Sequence, residues 1–142
     1  MRGRGLLVAF GTWTLVVWAT RIDNVIGQDD LTTVGRAGRL ALALSFTMLG
    51  LALLIIVRRA RGRELSRVER SVIVSGAVWT LGVWVVRGVG IALGDHAAAF
   101  IAVHTVLAVV SIALAALTLR TTTMPLRHGT TGHRRTEAHV AP

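Results

Sequence analysis

Four stretches of the chain, 6–26, 37–57, 71–92 and 97–119, are apolar almost throughout. About 20 such residues in a row are what an α-helix needs to cross a hydrocarbon core ~30 Å thick. In that medium no water is available for the backbone, so each N–H and C=O must be satisfied within the segment, and a helix does this. The fold class expected is therefore an all-α membrane protein with four transmembrane helices. A hydrophobic content of 53% agrees with lipid rather than water as the solvent. The first stretch also resembles a signal peptide, since MRGRG precedes it like a charged n-region. Against that reading, no small-x-small cleavage site follows, and part of its text returns deep in the chain.

The arginines orient the spans. All sixteen basic residues are arginine, and twelve of them fall on one side: Arg2 and Arg4, the six between Arg58 and Arg70, and Arg120, Arg127, Arg134 and Arg135. Only Arg21, Arg36, Arg39 and Arg87 fall on the other. Basic residues stay preferentially in the cytoplasm, so both termini are expected there, in a plasma membrane whose anionic inner leaflet meets the 58–70 loop. Each arginine close to such a surface contributes about 1 kcal/mol. The net charge of +9 is thus a topology signal, and nucleic acid is not an expected partner. The expected layout is a first transmembrane hairpin (1–57), an Arg-rich cytoplasmic loop (58–70), a second hairpin (71–119) and a cytoplasmic tail (120–142). That tail is polar, Thr-rich and aperiodic, which predicts disorder. Ser66 and Glu69 have capping-box spacing, predicting a helix start at the end of the loop.

The two halves share text. WTLVVWATR from Trp13 returns as WTLGVWVVR from Trp79, and over 13–30 against 79–96 the offset of 66 gives seven identities in eighteen positions. These are Trp13/Trp79, Thr14/Thr80, Leu15/Leu81, Val17/Val83, Trp18/Trp84, Arg21/Arg87 and Asp29/Asp95. Each unit holds two spans, so the reading is a parallel repeat of two tandem helical hairpins, related by an axis along the membrane normal. Thr14, Trp18 and Arg21 are four and three residues apart, which puts them on one helix face, and Thr80, Trp84 and Arg87 repeat that face. A lipid-facing surface need only be apolar, so a repeated stripe of this kind is expected to face protein.

Ionisable residues at membrane depth are candidate functional residues: Arg21, Arg39, Arg87 and His104. Arg21 and Arg87 have two structural roles open to them, snorkelling to the headgroups or pairing with the repeated acids Asp29 and Asp95. Asp95 is also placed to cap the fourth helix, as Asp29 or a following Thr is to cap the second. GIALG, 90–94, has small-xxx-small spacing suited to close helix contact. Without cysteine there is no disulfide, thiolate metal site or cysteine nucleophile. A bis-histidine haem would need a second intramembrane histidine to match His104, and no other span has one. His128, His133 and His139 lie in the tail, where nothing would orient them as metal ligands. No metal or other cofactor is expected.

Trp79, Trp84, Asp95, Phe100 and His104, in WTLGVWVVRGVGIALGDHAAAFIAVHTVLAV, resemble a pattern of small multi-pass membrane proteins of actinobacteria. Those proteins carry a Trp-rich helix, an acidic turn, and a Phe and a His on the next helix. The resemblance implies class and compartment and supplies no reaction. The function expected is non-enzymatic, a membrane subunit that packs against itself or a larger complex through the Thr-Trp-Arg faces. The alternative is a small ion channel or transporter with Arg21, Arg87 and His104 on a polar path.

Overall fold

A computed structural model describes residues 3–27 and 32–123. They form four helices, α1 (Arg4–Ile26), α2 (Thr33–Arg59), α3 (Arg67–Leu93) and α4 (Ala98–Thr123), each long and apolar enough to cross a membrane. The chain is built as an all-α, multi-pass membrane protein.

Local chemistry moves several helix ends outward from the apolar stretches. Thr32 accepts a hydrogen bond from the Gly35 N–H at 3.2 Å, so α2 starts four residues before position 37. At Ser66 the expected capping box is present: its hydroxyl accepts from the Glu69 N–H at 3.2 Å, and the Glu69 carboxylate accepts from the Ser66 N–H at 2.8 Å. Arg63 adds two bonds to the same carboxylate, at 2.8 and 2.6 Å. Two expectations are corrected. α4 begins at Ala98, and Ile101 donates to the Ala97 carbonyl, so Ala97 and not Asp95 holds the cap position. Residues 120–123 continue α4 instead of opening the tail, while 124–142, with its three histidines, lies outside the described residues, as does Asp29.

The helices form a ring in sequence order. α1 packs along α2, α3 along α4, α4 also meets α1, and α2 touches α3 only thinly. At one end Gly3 lies against Thr121, and Arg70 donates to the Thr122 carbonyl at 3.0 Å. The starts of α1 and α3 therefore share an end with the finish of α4, and α1 and α3 run parallel, as two tandem hairpins require.

Close approach of α1 and α2 depends on Gly11 and Gly50. A Cβ on Gly50 would lie 2.9 Å from the Gly11 carbonyl oxygen and 3.0 Å from the Leu15 nitrogen, both backbone atoms that cannot move aside. In lipid no hydrophobic force drives helices together, and contacts between small residues take its place. GIALG does not play that part: an added Cβ on Gly90 would meet nothing within 4 Å. The core has two clusters. Phe10, Leu53, Ile73, Ala77 and Ala115 fill the end that carries the chain's basic loop. Trp18, Ala43 and Phe46 fill the centre between α1 and α2, with the Trp18 and Phe46 rings stacked at 4.2 Å and 4°.

Candidate functional site

The repeated faces turn inward. Thr14, Trp18, Thr80 and Trp84 are all buried, each tryptophan only 3% exposed. The protein that they face is this chain itself, so these faces are not free for a partner to pack on. Thr80 satisfies its hydroxyl on the Gly76 carbonyl at 2.8 Å.

One turn or so further along α1 and α3 the same faces open into a cavity of about 180 Å³. Since a water occupies ~30 Å³ in the liquid, this is room for several waters or for a group the size of a carboxylate or phosphate. Trp18, Arg21 and Asn24 line it from α1, Trp84 and Arg87 from α3, and His104 from α4. Arg21 stands five residues before the end of α1 and Arg87 six before the end of α3. Both are half-buried, and neither makes a hydrogen bond or ion pair among the described residues. Pairing of Arg87 with Asp95 is thereby corrected, since Asp95 lies exposed in the α3–α4 turn. Arg39, on the exposed side of α2, is close enough that Arg21, Arg39 and Arg87 feel one another's charge.

Two further polar atoms bear on the cavity. The Trp84 Nε1–H and His104 Nε2 are buried and hydrogen-bonded to no described protein atom. His104, 8% exposed, has its Nδ1 at 2.9 Å from the Phe100 carbonyl. A carbonyl only accepts, so Nδ1 carries a proton, and in the neutral form of the ring Nε2 is the acceptor. The Phe100 ring lies over His104 with centroids 3.9 Å apart, and His96 over Phe100 at 4.8 Å, which holds the imidazole in place.

Among the described residues no carboxylate lines the cavity. Guanidinium and indole donors therefore outnumber acceptors, and such a lining suits a negatively charged oxygen group. Among the described residues the one hydroxyl on the wall, on Thr20, donates to the Val16 and Val17 carbonyls. Among the described residues no group of three His, Cys, Asp or Glu could hold a metal ion.

Of the residues singled out in the sequence, Trp18, Arg21, Trp84, Arg87 and His104 come together here, Thr14 and Thr80 sit in the buried interior, and Asp95 stands apart. Asn24 was missed. Its spacing of three from Arg21 places it on the same face, but the repeat hides it because its counterpart at position 90 is glycine. Comparison with protein-family models, with curated proteins and with solved structures finds no match to this chain.

Proposed function

We propose that this is a non-enzymatic membrane protein whose cavity binds an anionic group. The observation that carries the reading is the convergence of an arginine from each repeat unit, together with Trp84, whose Nε1–H bonds to no described protein atom, on one cavity that no carboxylate lines among the described residues. By the distribution of arginines, the Arg-rich loop end lies in the cytoplasm and the cavity end faces outward. Binding is favoured over conduction, because toward the cytoplasmic end Phe10, Leu53, Ile73 and Ala77 are fully buried in one cluster, and the buried polar side chains described in that half, such as Thr80, Ser111 and Thr118, carry no charge. His104 would accept a hydrogen bond from a protonated oxygen of the ligand, or take up a proton with it.

Trp18 and Trp84 line the cavity, so tryptophan fluorescence reports on it. Titration of the purified protein in detergent with inorganic phosphate should change the emission saturably. A hydrogen bond to a charged group is worth ~1.5–3 kcal/mol, so Arg21→Gln should weaken the apparent affinity by about 10- to 100-fold. A phosphate response that survives Arg21→Gln unchanged, or no response in the parent, would count against the reading.

A further inference from the structure

Between α2 and α3, where the two helices barely meet, runs an apolar groove of about 900 Å³. Its floor is the α3 row Val74, Val78, Gly82 and Val86, each four residues from the last and so aligned along one side of the helix, with Trp79 and Leu42 as walls. Gly82 indents the row, and a Cβ added there would meet nothing within 4 Å. Arg87 lines both this groove and the cavity, so the apolar trough leads directly into the anion-binding end. From Val74 to Arg87 the groove follows α3 for roughly 20 Å at 1.5 Å per residue. One leaflet's share of the hydrocarbon core is ~15 Å.

We propose that the anionic group bound by this protein is the headgroup of a lipid, held at Arg87, with one acyl chain laid in the α2–α3 groove. The inference rests on the cavity reading above and names the source of the anion. An apolar trough ending on a guanidinium is complementary to a molecule that is apolar along its length and negative at its head. A helix from a second copy fits poorly. Among the described residues α2 and α4 contain no carboxylate, Glu69 of α3 lies at the opposite end, and the acids toward the end of Arg87 are Asp23 of α1 and Asp95, which stands in the α3–α4 turn and not on a helix face. A docked helix would therefore cover Arg87 with little to neutralise it. Burying an uncompensated charge is costly, whereas an anionic lipid brings the counter-charge in its own headgroup.

The test is native mass spectrometry of the detergent-purified full chain, offered phosphatidylglycerol or phosphatidylcholine with the same acyl chains. Preferential retention of phosphatidylglycerol by about tenfold is expected, together with loss of that preference in Arg87→Gln. Gly82→Leu should fill the groove and reduce phosphatidylglycerol retention several-fold, with Gly82→Ala between, while the phosphate-induced fluorescence change persists. The open space at Gly82 leaves folding undisturbed, which an unchanged melting temperature would verify. Equal retention of the two lipids by the parent, or full retention by Gly82→Leu, overturns the proposal. If phosphate still binds in an Arg21-dependent way under that outcome, the cavity reading survives alone; if phosphate binding is also absent, both fall. Selective, Arg87-dependent lipid retention without any phosphate response overturns a cavity open to free anions and supports the lipid headgroup as the one anion held at Arg87.

Discussion

The two hairpins begin from nearly the same text and use it differently. In the first, α1 and α2 approach through Gly11 and Gly50, and Trp18 stacks on Phe46. In the second, position 112, the counterpart of Phe46, is isoleucine, so Trp84, on the cavity wall, has no such stacking partner, and its Nε1–H bonds to no described atom. Trp13 donates to the Ser111 hydroxyl across the α1–α4 contact at 3.0 Å. The equivalent contact by the repeat is α3 with α2, and it is not closed: Ser45 bonds to the Leu42 carbonyl of its own helix, and Trp79 is 50% exposed on the wall of the groove. A duplicated helix thus acquires its role from the diverged helix set against it. One copy's contact became packing and the other's became an opening.

The largest expected consequence of this asymmetry is at Gly50. Gly50→Leu drives a side chain into the α1 backbone, and overpacking of this kind costs about 1–3 kcal/mol or more. It should prevent folding or lower the melting temperature sharply in detergent, while Gly82→Leu in the other hairpin should not. Melting temperatures that fall equally in the two variants would mean that the hairpins are packed alike.

A smaller effect is expected at the centre. In lipid the water-transfer part of a truncation cost is largely absent, so what Phe46→Ala loses is contact with the Trp18 ring at 4.2 Å and the looser one with Trp79 at 6.2 Å, about 1–2 kcal/mol for the cavity left behind. Ile112→Ala should cost less, as it leaves no stacked ring uncovered. Thermal denaturation of both variants ranks them, and an Ile112→Ala loss as large as that of Phe46→Ala would break the contrast.

The smallest effect is expected for Ser111→Ala. Hydrogen bonds between membrane helices average about 0.6 kcal/mol, so the stability change should be of that order. Ser45→Ala should be neutral, because Ser45 bonds only within its own helix. The same melting measurement, with the indole N–H of Trp13 followed by NMR, separates the two. An unshifted Trp13 resonance in Ser111→Ala would remove this difference between the α1–α4 and α2–α3 contacts.

Much of the fold was written locally. Four apolar stretches set the helix number, because backbone polar groups in lipid leave few alternatives, and Ser66 with Glu69 marked a helix start that depends only on neighbours three residues apart. Asp95 was misread for the same local reason: a capping side chain is common just before a helix, but which residue takes the position depends on where the turn places the chain. The four-and-three spacing of Trp18 and Arg21, and of Trp84 and Arg87, was enough to put them on one face of each helix. It could not say that both faces border a single cavity, nor that His104 joins them from a helix whose counterpart position, 38, is glycine.

The sequence by itself determined the medium, the number of helices, their tandem order and the residues that the repeat preserved, since hydrophobic length and periodicity act along one segment at a time. Only the tertiary structure decided what those residues do. Whether Trp79 is buried or lines a groove, and whether Arg87 meets a carboxylate or an open cavity, depends on the distance between helices far apart in the chain. That distance is set by the side chains of both, such as Gly11 against Gly50, and not by either alone.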